Sequence, residues 1–147
     1  MRLARPLAGA TLTAATAAGL LFTATPAAAE PAPCDATARA CVDLSEGKAW
    51  LMDRGDVTYG PVRVTAGGQG HRTPAGRFSV TYKDRDHRSR AYENAPMPYA
   101  VFFTSSGVAF HQGDRNSLSH GCVRLSARAA AEFYRALQPG DAVQVRR

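Results

Sequence analysis

Cysteine and histidine are scarce, with three and four copies in 147 residues. They do not form the two Cys/His pairs at familiar spacing that a four-coordinate structural zinc site needs, so neither metal nor cofactor is expected. Charge of one sign never accumulates. The one dense cluster, Lys83–Arg90, is interrupted by Asp84 and Asp86 and reads as a solvated loop, and a net charge of +6 is too diffuse for a nucleic-acid face. Beyond Phe22 no apolar run approaches the roughly 20 residues that span a bilayer. Internal repeats are absent, and no alternation of strands with helical stretches suggests βαβ units.

What is present begins with an N-terminal address. Arg2 and Arg5 precede an uncharged, Ala- and Thr-rich run from Leu7 to Phe22, and Ala27-Ala28-Ala29 offers small residues before Glu30. That order reads as a secretory signal peptide over residues 1–29, cleaved near Ala29. A retained anchor suits the run less, because Gly9, Gly19 and many threonines break it. Residues 30–40 read as a leader, loose from Glu30 to Pro33. Export would leave a charge of +4 once Arg2 and Arg5 are gone, suited to an anionic wall or membrane. In an oxidising compartment a bridge between Cys34 and Cys41 is favoured over two unpaired thiols. Cys122 is then the odd cysteine, either an intermolecular partner or a reactive thiol.

From Cys41 onward the pattern is strand-like. Val42–Leu44, Lys48–Met52 and Val57–Thr65 alternate, with turns at Glu46-Gly47 and Arg54-Gly55-Asp56. Gly67–Gly70 punctuates as a loop. Arg77–Lys83 predicts one strand with Phe78, Val80 and Tyr82 on a shared face. Asp84–Pro98 shows little periodicity and reads as a long irregular excursion, a candidate lid. Tyr99–Phe103 and Val108–Phe110 predict further strands. One helix is expected, capped by Ser126, with Ala129, Ala130, Phe133 and Leu137 at helical spacing and Pro139-Gly140 as its stop. Val143 and Val145 supply a closing strand. The fold class is mostly β with one late helix.

The chemistry concentrates in Phe110-His111-Gln112-Gly113-Asp114 and Ser119-His120-Gly121-Cys122-Val123-Arg124-Leu125. A free thiol is only a few per cent ionised at neutral pH and needs a base within hydrogen-bond reach. His111, at the end of a strand, and His120 are the candidates. Gly121 permits close backbone approach, and amides near Gly121 and Cys122 suit an oxyanion. Arg124 shares the side of Cys122 on an extended chain and suits a carboxylate. Together these parts describe acyl transfer through a thioester. An inert buried cysteine and a zinc site are the blander readings. His71 and His87 read as lone, solvent-exposed loop histidines.

Ser119-His120-Gly121-Cys122-Val123-Arg124 resembles the active-site signature of the YkuD-like L,D-transpeptidase domain. The likeness runs in family order from Cys41 to Val145 and takes in Val42-Asp43-Leu44, Thr73-Pro74-Ala75-Gly76-Arg77-Phe78 and Pro96-Met97-Pro98-Tyr99. It implies a YkuD-like β-sandwich over residues 41–147, with Cys122 as nucleophile and His111 as base. The carbonyl of Gln112 would orient the imidazole, and Ser119 and His120 would shape the turn and contact substrate. Arg124 would hold substrate or the active-site loop, Tyr99 and Met97 would line the groove, and Asp84–Pro96 would be the flap. The implied partners are peptidoglycan stem peptides, with carbapenem β-lactams as inhibitors, for an exported, monomeric enzyme without a stable membrane anchor. An L,D-carboxypeptidase would use the same residues with water as acceptor. A wall-binding domain that kept the fold is the alternative of another class. The 11-position gap from His111 to Cys122 is shorter than usual for the resemblance and implies an altered site roof.

Overall fold

The period-two alternation resolves into nine strands and one helix among residues 24–147, the part of the chain that the computed structural model describes. Strands β1 (Ala40–Asp43), β2 (Lys48–Asp53), β3 (Asp56–Arg63), β4 (Gly76–Ser79) and β9 (Ala142–Arg146) form a five-stranded sheet in the order β3-β2-β1-β9-β4. Strands β5 (Tyr82–Ser89), β6 (Ala95–Phe102), β7 (Ala109–Gln112) and β8 (Val123–Leu125) form a second sheet in chain order. Pairing is antiparallel except for two parallel ladders, β1 with β9 and β7 with β8. The architecture is the mostly β sandwich with one helix expected above. Residues 1–23 of the expected signal segment lie outside the described residues. No helix of the described residues is long and apolar enough to cross a membrane.

Helix α1 (Ala127–Ala136) starts where Ser126 accepts a bond from the Ala129 N–H at 3.2 Å, satisfying one orphan donor of the first turn. Its buried stripe of Ala129, Ala130 and Phe133 faces the sheets. Phe133 packs on Phe110 (centroids 5.0 Å apart) and, edge-on, on Tyr59 of the other sheet (6.5 Å). Phe103 joins through Phe110 (4.8 Å) and Phe78 (5.7 Å). Each fully buried ring contributes about 1.5–3 kcal/mol of transfer free energy, so this stack glues both sheets to the helix.

The second sheet has two unlike faces. Val101, Phe103, Phe110, Val123 and Leu125 point into that core. Met97, Ala100, Phe102 and Ala109 form a separate apolar floor on the opposite face, with Cys122 packed against it.

Two stretches depart from the expectations. Arg77–Lys83 is not one strand: the chain leaves the first sheet after Ser79 and enters the second at Tyr82, so Val80 is buried while Tyr82 turns outward. Alternation alone does not reveal a strand that changes sheets. Asp84–Pro98 is not irregular but is the body of the β5–β6 hairpin, paired from Tyr82↔Phe102 to Ser89↔Ala95. Its prolines hid it. Pro96 and Pro98 lie two apart, so both missing N–H groups fall on one edge, which β7 does not reach because it pairs only with Val101 and Phe102. The stretch Cys34–Arg39, beyond the loose Glu30–Pro33, is docked, and the favoured bridge is present. Cys34 is bridged to Cys41 with Cα atoms 5.8 Å apart, Ala38 packs with Trp50 and Met52, and the Arg39 N–H donates to Ala142 at 2.8 Å.

Candidate active site

Parallel pairing of β7 with β8 builds the site. The register sets Phe110 beside Val123, His111 beside Arg124 and Gln112 beside Leu125. Side chains alternate across a strand, so Phe110, Val123 and Leu125 enter the core while His111, Arg124 and the preceding Cys122 share the outer face. Two cavities, of about 720 and 290 Å³, open there and meet at Cys122. The larger is walled by His87, Tyr92 and Phe102, and the smaller by His111, Gly113 and Arg124. Met97 lies between them and borders both.

His111 is buried, and its Nδ1 lies 2.7 Å from the main-chain oxygen of Gln112. A carbonyl only accepts, so Nδ1 carries the proton and Nε2 is a bare acceptor. Burial pulls the imidazole pKa below its ordinary value; the Gln112 carbonyl opposes this, and the charges of Arg124 and His87 add to it. Burial pushes the Cys122 thiol up, against a backbone bond from Ala109 and the positive charge of Arg124. Both directions favour neutral thiol beside neutral imidazole. The Cys122 Sγ itself is directed at the Gly107 carbonyl, 3.8 Å away.

The turn bearing Cys122 is clamped from two sides. Ser119 Oγ donates to the Cys122 carbonyl at 2.5 Å and accepts from the Gly121 N–H at 3.1 Å. Buried Thr73 donates its hydroxyl to the Gly121 carbonyl at 2.6 Å and accepts from the Gly67 N–H at 2.9 Å. Gly121 itself has φ +129°, a conformation that side chains resist. The exposed His120 ring stacks on Tyr92 from the hairpin tip (4.3 Å, 17°) and meets His71 edge-on (4.8 Å). The β5–β6 hairpin thus reaches over the groove and touches the turn. Arg124 donates to the carbonyls of Asp114 (3.4 Å) and Ser117 (3.3 Å) and to Ser117 Oγ (3.2 Å), stapling the loop between β7 and β8. Among the described residues, no three His, Cys, Asp or Glu side chains gather as a metal site.

A family model described as the L,D-transpeptidase catalytic domain, YkuD, matches residues 37–145. This chain belongs to the YkuD family. Solved structures agree. An L,D-transpeptidase from Stackebrandtia nassauensis is 31% identical with a TM-score of 0.67, over 72% of this chain and 53% of that one. An L,D-transpeptidase, LdtMt1, in complex with imipenem is 25% identical (TM-score 0.66), over 72% and 57% of the two chains. L,D-transpeptidase 3 from Mycobacterium tuberculosis, carrying a faropenem-derived adduct, shares the fold at 22% identity (TM-score 0.66), over 74% and 59%. The chain spans little more than half the length of these relatives. No curated protein matches it significantly.

Within this YkuD domain the sequence motifs converge, with exceptions. Cys122, His111, Ser119, His120, Arg124 and Met97 all border the smaller cavity, and Gln112 contributes its carbonyl. Tyr99 does not join them. It has φ +58°, which shifts the alternation of β6, so Tyr99 follows Val101 and Phe103 to the helix side and packs edge-on against Tyr134 (5.8 Å). Gly121 gives its N–H to Ser119, which leaves the Cys122 amide as the remaining donor of the expected pair. His87 is no isolated loop histidine. It is half-buried on β5, 3.0 Å from Asp84 Oδ2, and walls the larger cavity. His71 is exposed as expected, yet its ring sits in the stack beside the nucleophile turn. Two functional positions escaped the sequence reading. Thr73 had its Thr-Pro motif as a signal but no role. Gly113 had only its place after His111: a Cβ there would lie 3.0 Å from Arg124 Cγ and Cδ and 3.3 Å from His111 Cε1.

Proposed function

We propose that this domain is an L,D-transpeptidase that cross-links peptidoglycan stem peptides through a thioester on Cys122. As sulfur attacks the carbonyl of the third residue of a donor stem, the thiol proton passes to His111 Nε2. The Cys122 amide faces the oxyanion. Collapse expels the terminal D-alanine, whose nitrogen takes the proton back from His111. The amine of a second stem then attacks the thioester, and Cys122 leaves with that amine's proton, relayed by His111. The carrying observation is the Nδ1–H bond to Gln112, which fixes the tautomer this sequence requires.

Two cavities meeting at one sulfur support an amine acceptor over water, since each stem can approach from its own side. The imipenem and faropenem complexes of the relatives support capture of Cys122 by the same β-lactam classes. The signal-like N-terminus supports export to the wall. A thiol and an imidazole with a bare Nε2 on the same face of the second sheet support catalysis over a purely binding domain, which has no use for either.

Intact mass spectrometry after incubation with imipenem tests this reading. One adduct per chain is expected, absent from a folded Cys122→Ala variant. An adduct that survives the substitution, or none on the folded unmodified protein, refutes the mechanism. Muropeptides with and without an acceptor stem then separate transfer from hydrolysis.

A further inference from the structure

A third cavity, of about 550 Å³, lies on the far side of the Gly67–Thr73 loop and shares no residue with the two that hold Cys122. Its size is within the range of small-molecule sites. Leu44, Val64 and Leu118 give it an apolar wall, and Leu118 is 67% exposed, unusual for a leucine without a partner. Arg63, Arg72 and Arg147 also line it. None of the three has a carboxylate within salt-bridge distance among the described residues. Arg63 donates to the Arg115 carbonyl (2.7 Å) and Arg147 to the Thr73 carbonyl (3.3 Å), which orients them, and Asp114 feels the charge of Arg63 without forming a salt bridge with it. Arg72 makes no hydrogen bond among the described residues. The one acidic side chain of the lining, Glu46, is already paired with Lys48 at 3.0 Å.

Three unpaired guanidinium groups around a partly apolar hollow match a particular chemistry. Guanidinium binds planar or tetrahedral oxyanions through paired N–H donors, and the apolar wall favours an anion carried on an organic body over a bare ion. We propose that this cleft is an accessory site for an oxyanion-bearing organic ligand, a phosphate ester or a peptide carboxylate. The site is joined to the nucleophile turn. The loop that forms its wall receives the Ser119 N–H on Ala66 (2.9 Å), donates from Gly68 to Ser119 (3.1 Å) and sends the Thr73 hydroxyl to Gly121.

The test is an amide-resolved NMR titration of the protein with glycerol phosphate and, separately, with N-acetyl-D-alanine at constant ionic strength. Saturable shifts are expected at Gly67, Gly68, Gln69 and Leu118. Saturation by one probe alone assigns the source as phosphate polymer or peptide terminus; saturation by both supports the shared oxyanion chemistry. Arg72→Glu should weaken binding at least about tenfold while leaving distant resonances in place. Arg63→Gln is the second variant, should Arg72→Glu disturb the loop. No saturable shift at these amides, or an unchanged dissociation constant in a folded variant, overturns the site.

Discussion

The Nδ1 of His111 lies 2.7 Å from the carbonyl oxygen of Gln112, its neighbour in the chain. No carboxylate is needed to set the tautomer, and none adds a negative charge to hold the imidazole protonated. Together with burial, this keeps His111 neutral to lower pH than an ordinary histidine, while burial keeps Cys122 a thiol to higher pH. The acid limb of carbapenem acylation should therefore fall below about pH 6.5. Alkylation by iodoacetamide, which needs preformed thiolate, should climb only above about pH 8.5. An alkylation plateau between pH 5 and 7 would show a standing thiolate–imidazolium pair and contradict this account. His111→Ala should cost about 10²–10⁴-fold in acylation; a small loss would move the base to His120.

Thr73→Val keeps shape but strips the hydroxyl from two partners, the buried Gly121 carbonyl and the part-buried Gly67 N–H. Leaving such groups unsatisfied costs about 1–3 kcal/mol. The midpoint of urea unfolding should fall accordingly, and acylation should slow because the turn loses one clamp. Thr73→Ser should retain both properties. Equal loss in the two variants would assign the effect to packing instead.

Gly113→Ala separates geometry from stability. Its methyl would press on the stem of Arg124 and on the His111 ring edge. Displacing the His111 imidazole by a fraction of an ångström is expected to slow acylation about 10–100-fold if it acts as proposed. The unfolding free energy should change by less than about 1 kcal/mol, since the new side chain also restricts the unfolded chain. A variant with unimpaired acylation would show that the ring is not held at this contact.

The Cys34–Cys41 bridge closes a loop with a sequence separation of 7, far from the groove. The doubly substituted Cys34→Ser, Cys41→Ser chain should lose about 2–3 kcal/mol of stability, read from urea midpoints. Its acylation rate by imipenem at a temperature where it stays folded should be unchanged. A slowed rate would reveal a connection from the N-terminal hairpin to the site.

Much of this arrangement was legible before any coordinates. The Ser119–Arg124 motif, the helix cap at Ser126 and the strands up to Arg63 announce themselves through local chemistry, where spacing and side-chain type suffice. What was hidden depends on partners distant in sequence. The polar run Lys83–Ser89 becomes a strand only because β6 lies alongside it, and its outward face stays wet. Tyr99 left the groove through a single positive φ, which no periodicity reports. His71 and His120 are 49 positions apart and meet only after the Gly67–Thr73 loop folds against the nucleophile turn. Side-chain counting finds Cys122 and His111 but not the Thr73 hydroxyl bonded to the Cys122 turn or the bare Gly113 beside the His111 ring.

Strand β9, the last element of the described residues, lies between β1 and β4 rather than at an edge of its sheet. During synthesis, N-terminus first, β1 to β3 can form a meander, but β4 has nothing to pair with until Ala142–Arg146 emerge. The two halves of the five-stranded layer stay open until the final residues are delivered. The closure of this layer is thus a late, long-range event, set by a strand that pairs with two partners far from it in sequence.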